Sequence, residues 1–80
     1  MITFLKPDEQ HQHKHGGGWV ANTATVEKNA YIGPDAQVFD NAQVYGNARV
    51  SGNAWVFGNA WVSGNARVSG NTRGTQNGQF

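Results

Sequence analysis

The sequence predicts an all-β chain built as a stack of short strands and bends. Val or Ile stands at Val20, Val26, Ile32, Val38, Val44, Val50, Val56, Val62 and Val68, nine positions at an unbroken spacing of six. Four residues after each comes a small residue, from Ala24 through Ala66 and then Thr72, and Asn or a relative of it stands just before. A period of six fits no helix face, because six residues at 3.6 per turn rotate the stripe by about 240° each time. A short strand followed by a bend fits it well.

Taken in chain order, residues 1–15 form an N-terminal arm. "MITFLKP" reads as a short strand or an extended segment, with Ile2, Phe4 and Leu5 free to cover an open end or to pack on a neighbour. Gly16 to Gly18 read as a flexible joint. No Lys-Ser/Thr follows them and no helix starts there, so they are not a phosphate loop. Residues 19–72 carry the repeat. Its Val sits in the strand, where a stiff β-branched side chain packs well. Its Gly-Asn sits in the bend, where a positive φ is tolerated. Its Ala fills the place where the wall turns inward. In residues 73–80 the repeat decays: Gly74 takes the Val slot and Phe80 returns to it, as a plug or as the end of a loose tail.

The Val/Ile-x-x-x-Ala-x rhythm resembles the hexapeptide-repeat proteins. That resemblance implies a left-handed parallel β-helix, a triangular solenoid in which three hexapeptides make one coil, here about three coils with an extended N-terminal arm. The "GGGWV" entry followed by "GNARV" units also resembles short hypothetical phage and prophage proteins. Many hexapeptide-repeat proteins are acyltransferases with a His base at a subunit interface, and the family usually assembles as trimers.

With eighteen residues per coil, residues eighteen apart stack at about 4.8 Å. Val20, Val38 and Val56 form one inward column, Val26, Val44 and Val62 a second, and Ile32, Val50 and Val68 a third. Corner side chains also stack, as in Asn29, Asn47 and Asn65, an arrangement that turn chemistry alone accounts for. Residues flanking each Val point outward, because strand side chains alternate. The first face then carries Trp19, Gln37, Trp55 and Arg73, with Ala21, Phe39 and Phe57. The second carries Thr25, Gln43 and Trp61, with Glu27, Tyr45 and Ser63. The third carries Tyr31, Arg49 and Arg67, with Gly33, Ser51 and Ser69.

An aromatic wall on so small a protein marks an interaction surface. Trp19, Phe39, Trp55 and Phe57 are therefore the expected interface of a homo-oligomer, a trimer by the resemblance. The competing expectation is that the N-terminal arm covers these aromatics within its own chain. The cations Arg49, Arg67 and Arg73, with Tyr31 and Trp61, are the expected ligand contacts: guanidinium forks match phosphate oxygens and aromatic rings stack on bases. A nucleotide, or a host protein, is the expected partner beyond self.

Net charge is +1, so no long nucleic acid is expected. From Asn41 onward there are three cations and no carboxylate side chain, whereas before it five acids face three Lys/Arg. There is no cysteine, which excludes disulfides and thiolate zinc sites. No apolar run is long enough to span a membrane, and a cytoplasmic location is expected, the host cytoplasm if the chain is phage-encoded. His11, His13 and His15 fall on one side of an extended segment and are a candidate site for a divalent metal, against the plainer reading of a polar linker. No other cofactor is expected. No carboxylate pair or Ser/His/Asp grouping shares a face, so the expectation is a non-catalytic binding protein, an anti-defence factor in a phage setting. The alternatives are a structural virion element, such as a trimeric spike or fibre piece, and an acyltransferase. Thr residues do not stack into a ladder, which removes an ice-binding role.

Overall fold

The computed structural model describes residues 2–70 and, for the backbone, residues 73–74. Phe80, named above as a plug, and Thr72, the last small residue of the repeat, lie outside the described residues. The strands keep the six-residue beat. After β1 (Gln10–Gln12) and β2 (Trp19–Ala21) come β3 (Thr25–Val26), β4 (Tyr31–Ile32), β5 (Gln37–Val38), β6 (Gln43–Val44), β7 (Arg49–Val50), β8 (Trp55–Val56), β9 (Trp61–Val62), β10 (Arg67–Val68) and β11 (Arg73–Gly74). Among the described residues there is no α-helix, only a 3-10 turn at Pro7–Glu9.

Three sheets result. The first runs β1-β2-β5-β8-β11, the second β3-β6-β9 and the third β4-β7-β10. Apart from β1, every pairing is parallel, and each joins residues one eighteen-residue coil apart: Val20 to Val38, Val44 to Val62, Val50 to Val68. The chain visits the sheets in turn and returns to the first after each coil. This is a parallel β-solenoid, as the repeat predicts.

The bends explain the Gly-Asn pair. Each closes with an N–H donated to the carbonyl three residues back, such as Ala54 to Ser51 at 3.3 Å and Ala60 to Phe57 at 3.2 Å. A positive φ falls on the first central residue, at Gly46, Gly52, Gly58, Gly64 and Gly70, with values between 63° and 68°. That pattern marks a type II′ turn. Glycine therefore takes the left-handed residue and Asn follows it with negative φ. Asp40 occupies the same slot at φ 60°, and its Oδ2 accepts the Gly58 N–H at 3.0 Å one coil later. In the first coil Pro34 fills this slot, and its fixed φ suits an unprimed turn instead.

The inward columns are as expected. Ile32, Val38, Val44, Val50, Val56 and Val62 are fully buried, with Ala30, Ala36, Ala42, Ala48, Ala54 and Ala60 between them. Val26 is only half-buried. The reason is the arm, which covers two of the three first-coil edges. β1 pairs antiparallel with β2, His11 opposite Val20. Further on, the backbone of His15 and Gly18 flanks Ile32: Ile32 donates to the His15 carbonyl at 2.9 Å and Gly18 donates to the Ile32 carbonyl at 2.8 Å. Among the described residues no such cover lies over β3.

Gly16 to Gly18 are thus a tight turn rather than a loose joint. A Cβ on Gly16 would stand 2.2 Å from the Ile32 carbonyl oxygen, and one on Gly18 2.2 Å from the Ile32 side chain. Upstream, the arm is clasped by Gln10, whose buried amide donates to the carbonyls of Ile2 and Leu5, both at 3.0 Å, and accepts the Ile2 N–H at 2.7 Å. Asn22 adds a second clasp: its amide donates to the Asp8 carbonyl at 2.8 Å and its oxygen meets His11 Nδ1 at 2.7 Å. Ile2 is buried against Ala21 and Phe39, and Leu5 packs beside them.

Two substitutions test these points. Gly52→Ala forces a positive φ on alanine and sets its Cβ 2.9 Å from the Gly70 nitrogen, whereas Gly64→Ala has the same φ problem without the crowding. Thermal unfolding followed by circular dichroism is expected to show both destabilised by about 1–3 kcal/mol, Gly52→Ala more. Equal losses would remove crowding from the account. Gln10→Ala takes the side-chain partner from the Ile2 N–H and the Leu5 carbonyl, at a cost on the order of 1–3 kcal/mol, while the Ile2 and Lys6 carbonyls keep the Leu5 and Glu9 N–H groups. Chymotrypsin is expected to cleave after Phe4, in the clasped arm, faster in that variant, while the repeat core stays protected from hydrogen exchange.

Candidate anion-binding site

The third sheet positions its outward residues by register. Tyr31 pairs with Arg49 and Arg49 with Arg67, so one aromatic and two guanidinium groups rise one above another. The Ile or Val beside each is buried, and alternation along the strand turns Tyr31, Arg49 and Arg67 outward. Both Arg side chains are exposed. Two residues before each stands a corner Asn. Asn29, Asn47 and Asn65 form the second wall of a cleft of about 310 Å³.

His15 closes the N-terminal end of this cleft. Its Nδ1–H donates to the Asn29 carbonyl at 3.2 Å, and its ring meets Tyr31 edge to face, with centroids 5.3 Å apart and planes at 89°. The opposite outward column, Gly33, Ser51 and Ser69, carries only small residues, and the arm covers Gly33 at its first-coil end. No carboxylate lines the cleft. Two permanent cations one rung apart, with neutral amides beside them, form a local positive field that an anion relieves.

The expected ligand residues are only partly brought together. Tyr31, Arg49 and Arg67 share the cleft. Trp61 does not join them: it lies on the second sheet, in register with Gln43. Arg73 pairs with Trp55 on the first sheet, and its side chain lies outside the described residues. The sequence reading assigned both to different faces yet grouped them with one ligand, and the register separates them. His15 and the Asn wall were missed as cleft residues. The periodicity carried a signal for the Asn column, which stacks eighteen apart, but none for His15, which arrives through the closed Gly turn.

The three histidines diverge as well. His11 is exposed and meets Asn22. His13 is buried and donates its Nε2–H to the Ala30 carbonyl at 2.8 Å, and His15 turns to Tyr31. The lining-up expected of an extended segment stops at Gln12, where β1 ends and the chain turns. Among the described residues no group of three or more His, Cys, Asp or Glu is placed to hold a metal ion.

The aromatic first face is largely covered by its own chain. Phe39 is buried, with Phe4 edge-on at 5.2 Å, Phe57 stacked at 5.3 Å and Trp55 edge-on at 5.7 Å. Trp19, Trp55 and Phe57 stay half-buried beside it. Of the four residues expected at an oligomer interface, Phe39 is therefore withdrawn beneath the arm. Phe4 and Gln10 do this work, and neither belongs to the repeat that made the rest readable.

Comparison with known families agrees with the architecture. Residues 42–58, 48–64 and 60–73 match the family model described as YdcK Beta solenoid repeat. No curated protein and no solved structure matches the chain.

The cleft's walls give one expected outcome independent of any ligand. Tyr31→Ala removes the ring that holds His15, so the His15 imidazole proton signals are expected to lose their ring-current shift in NMR spectra. Unchanged His15 shifts would mean the edge-to-face contact is not populated.

Proposed function

We propose that this chain, a β-solenoid repeat protein, is a non-catalytic binding protein whose third sheet takes up a phosphate-bearing small molecule, a nucleotide being the class that fits best. The observation that carries the reading is the stack of Arg49 on Arg67, two exposed guanidinium groups one coil apart in a cleft with no carboxylate lining. A phosphate accepts paired N–H donors from such forks, and two stacked forks favour more than one charged oxygen group. Tyr31 and His15 give the same cleft an aromatic end.

A binding role is favoured over acyl transfer by the two guanidinium groups that line the cleft beside His15. The Nδ1–H bond to the Asn29 carbonyl orients the ring and leaves Nε2 as its acceptor nitrogen, so His15 keeps the capacity of a base. The stacked Arg pair is what gives the cleft its preference for an anion. The resemblance to short phage proteins gives the reading a biological setting, in which a small, abundant binder lowers the free concentration of a nucleotide signal. The cleft is formed within one chain, so uptake does not depend on assembly. Self-association is proposed through Trp55 and Phe57, the part of the aromatic face the arm leaves accessible.

Isothermal titration against inorganic phosphate, pyrophosphate, AMP, ATP and a cyclic dinucleotide tests the reading. At least one of the phosphate compounds is expected to bind, more weakly as salt is raised. Arg49→Ala and Arg67→Ala are each expected to cost about 1.5–3 kcal/mol, roughly tenfold to a hundredfold in affinity. No heat from any member of the panel, or binding that both variants leave unchanged, would sink it.

A further inference from the structure

Trp61 is left over from the cleft, and its surroundings have a chemistry of their own. Its side chain is 46% exposed, one of two large apolar side chains so exposed among the described residues. The other, Phe4, caps Phe39. Tyr45, half-buried one coil before Trp61, meets it edge to face, with centroids 6.3 Å apart and planes at 77°. The Tyr45 hydroxyl donates to Gln43 Oε1 at 2.9 Å, which fixes the phenol ring. Two rings at nearly a right angle make a corner with a floor and a wall.

We propose that this corner is a carbohydrate-binding platform, with Trp61 as the stacking surface, Tyr45 as the wall, and Gln43, Thr25, Glu27 and Ser63 as hydroxyl contacts. An aromatic face is electron-rich and attracts the weakly positive C–H face of a sugar ring. Hydroxyls, an amide and a carboxylate supply both donors and acceptors for sugar hydroxyls. The outward positions of this sheet carry no cation, which sets it apart from the third sheet and from phosphate chemistry.

Size decides between a sugar and a protein partner. Three strands about 4.8 Å apart and two residues long cover on the order of 100 Å², whereas a stable protein interface needs about 800 Å² on each side. A patch of this extent matches one or two sugar rings. It is held by a hydrogen-bonded sheet, so little ordering is required on binding.

NMR titration of the full chain with maltohexaose, cellohexaose and chitohexaose tests the platform. At least one is expected to shift the Trp61 indole N–H resonance and saturate. Trp61→Ala is expected to weaken that binding at least about tenfold, with an unchanged circular dichroism spectrum. Tyr45→Phe, which keeps the wall but frees Gln43, is expected to weaken it less. Arg49→Ala and Arg67→Ala are expected to leave it unchanged, so the nucleotide reading and the sugar reading stand or fall separately. Absence of any shift at about 10 mM of all three sugars, or binding indifferent to Trp61→Ala, overturns the proposal. So does a Trp61→Ala chain that sediments as a smaller species, which would assign the surface to a second copy.

Discussion

Everything in this protein depends on parallel backbone hydrogen bonds between successive eighteen-residue coils. They fix the register, and the register fixes which side chains become neighbours. Thr25 donates to the Ala42 carbonyl, Gln43 to that of Ala60, and Arg49 to that of Ala66, all near 2.9–3.0 Å. A strand of two residues has almost no stability alone. It persists because it is one rung in a ladder, with a Val behind it and the same rung above and below. The type II′ bend is the second half of that constraint, since it turns the chain within the few residues the repeat allows.

Such a stack has ends, and the ends are where this chain departs from its own repeat. Coil edges expose unpaired backbone groups and a cross-section of the core. The arm answers on the first sheet with an antiparallel strand and on the third with the turn at Gly16 to Gly18. It leaves β3 uncovered, and Val26 and Ala24 are correspondingly less buried than their counterparts further along. The same arm conceals Phe39 and delivers His15 to the cleft. Capping, covering the aromatic face and completing the candidate site are thus three results of one folded-back segment.

The repeat made the core legible from sequence alone. Nine Val/Ile positions and their Ala partners could be assigned to columns because each slot recurs, and recurrence reveals the constraint. Outward faces followed by alternation, which placed Tyr31, Arg49 and Arg67 together. The arm could not be read that way. Gln10 clasps Ile2, Leu5 and Lys6 through a side-chain amide, a local geometry that occurs once and leaves no period. The glycines at 16–18 looked like flexibility, and their actual causes are close approach to Ile32 at Gly16 and Gly18 and a positive φ at Gly16 and Gly17. A composition signal cannot distinguish these two uses of glycine. Trp55, Trp61 and Arg67 share one slot of the hexapeptide yet stand on three different sheets, so similarity of position in the repeat carries no similarity of surroundings.

The eighteen-residue register is most directly tested by solution NMR with labelled Val methyl groups. The account predicts cross-peaks within each inward column, between Val38 and Val56, Val44 and Val62, and Val50 and Val68. It also predicts backbone contacts between Arg49 and Arg67. Backbone contacts that pair strands twelve or twenty-four residues apart, or an antiparallel pattern between repeats, would contradict it, and the cleft on the third sheet would no longer exist.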